Sequence, residues 1–227
     1  MTGIVSRRGF VGTGAAAAVG AVFASTLPIS TSEAQRRPQI ASELVKEFVG
    51  KSHGNLARIK ELVAEVPNIV NASWDWGNGD WETGLGAASH MGRVDIADFL
   101  LENKARKDFF CAAMKAEHEI VASSLAVDPT VATLPGPHRI TLLFHAGLGG
   151  KVSISEMLVK GGAHDNQALH AAVWYGHYEM TKWLLENDTK DVNIVRQKRT
   201  PLDRAVEDGH TEIAALLESR GGVRRNI

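Results

Sequence analysis

The chain has 227 residues, of which 44% are hydrophobic and 22% are charged, and these proportions are typical of one or two globular domains. The formal net charge of −1 gives no support for nucleic acid or an anionic membrane surface as a partner. The single cysteine, Cys111, excludes an intrachain disulfide and a cysteine zinc cage, and its apolar neighbours predict a small buried side chain.

The first part of the chain has the pattern of an export signal over residues 1–34. Residues 6–11 read S-R-R-G-F-V, an Ala- and Gly-rich apolar run follows over 11–27, and small residues surround Ala34. The arginine pair resembles the twin-arginine motif, although the last two positions of that motif are not matched. A chance arginine pair in an ordinary secretory signal is the alternative. Either signal predicts a mature chain that begins near Gln35 in a bacterial periplasm.

The apolar run of this signal is weakly hydrophobic. It falls short of the roughly 20 strongly apolar residues that a permanent membrane span requires. We therefore expect no stable membrane insertion after signal cleavage. A polar, proline-containing linker is predicted over residues 35–41.

From residue 42 onward, six segments repeat one arrangement of two short apolar helices around a tight turn. Their aligned starts are Val45, Thr83, Lys107, Thr141, Gln167 and Thr200. The turns between paired helices fall at Gly54, Gly92, Ala116, Gly150, Gly176 and Gly209. Apolar pairs then recur in the second helix of each segment, and the pair Ser124-Leu125 is the weakest copy.

The fifth segment shows most clearly what these repeats resemble. It reads QALHAAVWYGHYEMTKWLLEND, which is similar to the ankyrin pattern T-P-L-H-x-A-A-x-x-G-H-x-x-x-V-x-x-L-L-x-x-G-A. The resemblance implies an all-α ankyrin-repeat solenoid of about six helix-turn-helix repeats over residues 42–222, followed by a polar tail over 223–227. The starts at Lys107 and Gln167 follow the preceding repeats too closely for a β-turn finger, so some repeats are predicted to lack one.

The resemblance also implies where a partner would bind. In ankyrin stacks the fingers and the exposed side of the inner helices form a concave groove, and partners usually bind there. Mapping those positions gives candidate acid-base groups and candidate ligand contacts. The acid-base candidates are Asp80, His90 and His138. The ligand-binding candidates are Trp74, Asp75, Trp76, Glu82, Met91, Met114, His145, Trp174 and Tyr175.

The loop over residues 74–82 is the most unusual stretch, because three of the five tryptophans fall within it among glycines. One interpretation is that these indoles cover the open end of a short first repeat. The other is a stacking platform for an aromatic or sugar-like ligand, with Asp75, Asp80 and Glu82 at its edge.

Metal and cofactor signals are weak in the sequence. His90, His138 and His145 occupy positions where the ankyrin pattern does not require histidine, but no H-x-x-x-H or H-E-x-x-H spacing supports a preformed metal site. No dinucleotide fingerprint, phosphate loop or nucleophile elbow is present. The sequence therefore predicts no metal site and no cofactor.

Two functions remain open at this point. The first is an exported, non-enzymatic scaffold that binds a protein partner in its concave groove. The second is a small-molecule-binding protein, or a cofactor-independent lyase, isomerase or hydrolase with an Asp/His pair beneath the tryptophan-rich loop. The second requires Trp74, Trp76, Asp80, His90 and His138 to face one space, with the Asp80 carboxylate within about 8 Å of a histidine ring.

Overall fold

The computed structural model describes residues 39–225. The predicted signal peptide and most of the predicted linker lie outside the described residues. Within the described part there are twelve α-helices, one two-stranded sheet and three short 3-10 helices. The helices are α1 (Ser42–Lys51), α2 (Leu56–Glu65), α3 (Gly84–His90), α4 (Val94–Glu102), α5 (Phe109–Met114), α6 (His118–Val127), α7 (Leu142–Gly149), α8 (Val152–Lys160), α9 (Ala168–Trp174), α10 (Tyr178–Asn187), α11 (Pro201–Glu207) and α12 (Thr211–Ser219).

The helices form six consecutive antiparallel pairs, and the pairs stack in chain order. The first, or inner, helices of neighbouring repeats contact one another along the series α1, α3, α5, α7, α9 and α11. The second, or outer, helices pack mainly along α6, α8, α10 and α12, with α2 against α4. The predicted all-α ankyrin-repeat solenoid is confirmed.

The threonines that mark three predicted repeat starts are helix N-caps. The hydroxyls of Thr83, Thr141 and Thr200 accept hydrogen bonds from the third backbone N–H of α3, α7 and α11. These bonds satisfy amide groups that have no partner inside the helix. The third repeat begins one residue later than the predicted start at Lys107, since Asp108 is the N-cap of α5. The first start, Val45, was placed too late, because α1 already begins at Ser42.

The inter-helix turns follow the prediction at five of six positions. A left-handed backbone is present at Gly92, Ala116, Gly150, Gly176 and Gly209. Glycine adopts this conformation without a steric penalty, whereas the β-carbon of Ala116 makes it unfavourable there. Gly54 was predicted as the equivalent of these residues, but it has no positive φ.

Finger-like hairpins precede the second, fourth and sixth repeats. Strands β1 (Ser73–Asp75) and β2 (Trp81–Thr83) pair antiparallel before α3. Single antiparallel bridges join Pro135 to Thr141 and Arg196 to Arg199. Within residues 39–225 no strand or bridge precedes the third or fifth repeat, in agreement with the predicted missing fingers.

The inner helices pack together more closely than an open groove would require. Every residue of α3 is buried, as are Leu142–Leu148 of α7 and Ala168–Val173 of α9. Helix α3 contacts α7 as well as α5, and the Tyr175 hydroxyl donates a hydrogen bond to the Met91 carbonyl. The second repeat therefore contacts the fourth and fifth directly, across the short helix α5.

Apolar side chains between helix pairs form the core. One cluster lies mainly in the first four repeats and includes Phe48, Leu85 and Phe144. The other lies in the third to sixth repeats and includes Leu158, Leu184 and Leu217. Since each repeat buries its apolar face against other repeats, this stacking supplies the folding free energy. No helix in the described part of the chain is both long and apolar enough to span a membrane.

Replacing Leu184 by alanine tests this source of stability. Leu184 is fully buried in the core of the last repeats, and we expect the Leu184→Ala change to lower the free energy of unfolding by about 2–5 kcal/mol. Leu125 is only partly buried against the same cluster, so Leu125→Ala should cost less. Urea unfolding followed by circular dichroism measures both. A larger loss for Leu125→Ala would contradict the packing described here.

Candidate functional site

The hairpin of β1 and β2 has a tight turn that presents Asp80. The Trp76 amide donates to the Asp80 carbonyl, and the Asp75 carboxylate accepts a hydrogen bond from the Gly77 amide. Gly77, Asn78 and Gly79 all have positive φ, a conformation that glycine and asparagine tolerate best. Asp75, a predicted ligand contact, therefore shapes the turn.

Asp80 and His138 meet across a sequence separation of more than 50 residues. The His138 amide lies 2.8 Å from one Asp80 carboxylate oxygen, and His138 Nδ1 lies 2.7 Å from the other. His138 holds a left-handed backbone conformation in the finger before the fourth repeat. The predicted proximity of Asp80 and a histidine ring is confirmed, while the catalytic role assigned to the pair stays a prediction.

Glu82 lies at the buried base of the same site. One of its carboxylate oxygens accepts a 2.8 Å hydrogen bond from the Trp76 indole nitrogen. The other lies 2.9 Å from His90 Nδ1, yet the angles are not those of a hydrogen bond, and both atoms are buried without a hydrogen-bond partner. Glu82 and His90 therefore share a small space beneath Trp76.

His53, which the sequence did not single out, completes the arrangement. Its Nε2 lies 3.5 Å from a Glu82 carboxylate oxygen, and its Nδ1 lies 3.2 Å and 3.1 Å from the carbonyl oxygens of Val49 and Gly50. His138 Nε2 approaches the same Glu82 oxygen to 3.4 Å. We call His53, Glu82, His90 and His138 the histidine–glutamate cluster. One donor atom from each residue lies within 4.8 Å of the others.

Burial and neighbouring charge act on the cluster in opposite directions. Burial opposes ionisation of Glu82, but His90, with Trp76 and His53, holds the pKa of its carboxyl below the usual value. Burial lowers the pKa of His53, although Glu82 opposes this effect. The backbone hydrogen bond from His138 lowers the pKa of Asp80. Two carboxylates thus face three imidazoles.

The tryptophans of the hairpin have three different environments. Trp74 packs against the core of the first repeats, with the Lys46 ammonium 5.6 Å from its ring centre. Trp76 lies beside the cluster, with its ring centroid 6.2 Å from those of His53 and His138. Trp81 is 60% exposed. The cover interpretation therefore describes Trp74, and only Trp76 joins the space around Asp80.

Other predicted ligand contacts are placed differently from the expectation. Met114 and His145, both predicted as ligand contacts, are instead buried in the packing of the inner helices. The His145 ring donates to the Thr141 carbonyl through Nδ1 at 2.7 Å and packs against Phe110. Both errors arise because the mapping assumed an open groove, whereas α5 and α7 are covered by neighbouring inner helices.

The last three predicted contacts lie in other surroundings. Met91 is the C-cap of α3, and its carbonyl accepts a hydrogen bond from the Tyr175 hydroxyl. The Tyr175 ring stacks closely over Gly92, where a β-carbon would lie 2.7 Å from it. The Arg204 guanidinium lies 4.9 Å from the Trp174 ring centre. Met91, Trp174, Tyr175 and Arg204 thus form a separate surface of aromatic and arginine side chains.

The cluster combines the donor types that hold a transition metal, which are imidazole nitrogen and carboxylate oxygen. The sequence predicted no metal site because no two histidines have the spacing of a metal-binding pair on one helix. Here the donors come from four separate segments, namely the α1–α2 turn, β2, α3 and the fourth-repeat finger. The only early signal for His53 was its place beside an inter-helix turn, adjacent in the stack to the turn that follows His90.

Comparison with known protein families shows a match over the second half of the chain. A family model described as ankyrin repeats (3 copies) matches residues 109–196 and 143–226, which together are more than half of the chain. His138 lies within the matched region, whereas His53, Glu82 and His90 precede it.

The buried histidine of α7 predicts a pH dependence. Burial lowers the pKa of His145 from 6.5 to about 4, against the opposing hydrogen bond to Thr141. Between these values the unfolded chain binds a proton that the folded chain does not, so this residue reduces stability as the pH falls from about 6.5 to about 4. The loss levels off at lower pH.

The test compares His145→Gln with the original chain at two pH values. The cost of the substitution should be smaller at pH 5 than at pH 7.5, by about 2 kcal/mol in the free energy of unfolding. His118→Gln, at an exposed position of α6, is the matched control and should show no such difference. An equal cost of His145→Gln at both pH values would show that the pKa of His145 is not lowered in the folded state.

Proposed function

The chain belongs to the ankyrin-repeat family, and from that premise we propose that it is a binding scaffold that recognises a protein partner along its finger side. Ankyrin repeats generally mediate protein–protein interaction, so the family supports a scaffold over other functions. The partner would contact the fingers and the adjoining edge of the concave groove. The buried surfaces of α3, α7 and α9 leave the inner helices a smaller share of that contact.

One observation carries this proposal. Each of the three fingers has a large apolar side chain exposed on it or directly beside it, namely Trp81 at 60%, Leu134 at 50% and Val195 at 44%. Trp81 lies on the second strand of its finger, whereas Leu134 and Val195 each directly precede the first bridged residue of theirs. Exposed apolar groups that recur on successive fingers mark interaction surfaces more often than single scattered ones.

Two arginines that pack over aromatic rings extend the finger side towards the end of the stack. The Arg196 guanidinium lies 4.5 Å from the Phe144 ring centre, and Arg204 lies over Trp174. Arginine and aromatic side chains contribute most of the binding free energy in many protein interfaces. Because each arginine is already held over a ring, it loses little conformational freedom when a partner binds.

The Asp80–His138 pair favours a second candidate, which is recognition of a small aromatic or sugar-like ligand with acid-base chemistry. A partly exposed His–Asp pair beside Trp76 and Glu82 has the groups that proton transfer requires. In this candidate His138 moves a proton, Asp80 orients its ring and Trp76 stacks on the ligand. A small molecule retained by the protein in native mass spectrometry would favour it over the scaffold.

We further propose that the scaffold acts in a bacterial periplasm. The support is the sequence of residues 1–34, in which an arginine pair precedes an apolar run and small residues. A twin-arginine route would export the stack already folded.

Photo-crosslinking tests the scaffold. A photoreactive amino acid is placed at Trp81, Leu134 or Val195, one position at a time, in cells of the native host. We expect the same protein partner to be captured from all three positions, because they lie on successive fingers. Mass spectrometry identifies the captured protein.

The matched control is Val127, which is exposed at 88% on the outer helix α6. This position should capture little of that partner. Equal capture from Val127 and from the fingers, or different proteins at each finger, would contradict recognition along the finger side.

Export is tested by replacing Arg7 and Arg8 with lysines. If the twin-arginine route reads this signal, the double variant should stay in the cytoplasm, while the original chain is recovered from the periplasm in shortened form. Cell fractionation and N-terminal sequencing measure both. Unchanged export of the double variant would show that another route reads the signal.

A further inference from the structure

We propose that His53, Glu82, His90 and His138 bind a divalent first-row transition-metal ion, and that Asp80 and Trp76 position two of these ligands. The site goes beyond the scaffold function and does not depend on it.

The distances suit a single ion. Donor atoms about 2.0–2.2 Å from a tetrahedral ion lie about 3.4 Å from one another. In the cluster, His53 Nε2 and His138 Nε2 lie 3.5 Å and 3.4 Å from a Glu82 carboxylate oxygen, and all four donor atoms lie within 4.8 Å of one another. The rings converge as well, with centroids of His53 and His138 at 4.9 Å and 5.4 Å from that of His90.

Contacts outside the cluster fix the tautomers of two histidines. The Nδ1 atom of His53 faces two backbone carbonyls, which only accept hydrogen bonds, so this nitrogen carries the proton. His138 Nδ1 likewise donates to the Asp80 carboxylate. In both neutral rings the Nε2 lone pair then points into the cluster. A carboxylate or carbonyl behind the ring is the usual support of a metal-binding histidine.

The lone pairs that converge would repel one another without a cation. Two neutral imidazoles direct Nε2 at the Glu82 oxygen that already accepts the Trp76 proton. The second Glu82 oxygen and His90 Nδ1 are buried and lack hydrogen-bond partners, although they are 2.9 Å apart. Buried polar atoms are rarely left unpaired, because each costs desolvation free energy. A divalent ion would satisfy all of these atoms and balance the negative charge of Asp80 and Glu82.

The donor set selects the class of ion. Three imidazoles and one carboxylate suit Zn²⁺, Fe²⁺, Co²⁺ and Ni²⁺ better than Mg²⁺ or Ca²⁺, which prefer oxygen ligands alone. Glu82 and His90 are buried, whereas His53 and His138 form a partly exposed rim through which an ion can enter. The bound ion would join the first, second and fourth repeats.

The experiment uses the full chain without a polyhistidine tag, stripped with a chelator and dialysed. Zn²⁺ is titrated in competition with a chromophoric chelator, and Co²⁺ is used as a spectroscopic probe. We expect one equivalent to bind, visible Co²⁺ bands of a four- or five-coordinate site, and a higher unfolding temperature with excess Zn²⁺.

Variants of the partly exposed ligands His53 and His138 test metal binding without removing a buried side chain. His53→Gln and His138→Gln should each weaken Zn²⁺ binding by at least about 100-fold, and Asp80→Asn should weaken it by about 10- to 100-fold with the fold unchanged. The matched control is His164→Gln, since His164 also faces a carboxylate, that of Asp188, at 2.6 Å but lies outside the cluster. Its affinity should equal that of the original chain.

Circular dichroism of each metal-free variant separates loss of a ligand from loss of fold. The proposal is overturned if the folded chain binds less than one equivalent of Zn²⁺, or if folded His53→Gln and His138→Gln keep the original affinity. It is also overturned if His164→Gln weakens binding as strongly as the rim variants. Capture of a protein partner by the fingers is measured separately, so failure here leaves the scaffold proposal standing.

Discussion

Burial of apolar surface between neighbouring repeats is the interaction on which the rest of this structure depends. No single helix pair here encloses its own apolar face, so Leu85, Phe144 and Leu184 are covered only when the pairs stack. Gly84, the first residue of α3, serves that stacking, because the Phe48 ring lies where a β-carbon on it would be only 2.5 Å away. The hairpin and the cluster beneath it occupy the positions that this stack leaves for them.

The cluster exists because one repeat is incomplete. The third repeat has a six-residue inner helix and, among the described residues, no finger before it. The finger of the fourth repeat can therefore reach the hairpin of the second. There the Asp80 carboxylate accepts hydrogen bonds from both the backbone amide and the ring of His138. An insertion that restored an ordinary finger there would separate those residues. The irregular part of the fold and the candidate site thus have one cause.

The sequence predicted the repeats well because their signals are local. The hydroxyls of Thr83, Thr141 and Thr200 each accept a hydrogen bond from the backbone N–H three residues later. This capping pattern is visible in the sequence without reference to the rest of the stack. The meeting of Asp80 with His138 was also predictable, from the missing finger between them.

The remaining features depend on the curvature of the stack, which no local pattern encodes. His145 and Met114 were predicted as ligand contacts but are fully buried, since α3 contacts α7 across a short α5. His53 was missed for the same reason, because its neighbours in space come from three other segments. The family match adds nothing on this point, as it begins after three of the four cluster residues.

The contacts that skip a repeat change how such a stack would come apart. A regular solenoid behaves as a row of units that each touch only the next, so its ends can open without disturbing the middle. Here Tyr175 reaches Met91 and Asp80 reaches His138, which links the second repeat to the fifth and the fourth. Opening the second repeat breaks contacts with both the fourth and the fifth, and opening either of those breaks contacts with the second. The second to fifth repeats therefore form a single cooperative block, and stepwise fraying is left to the terminal repeats.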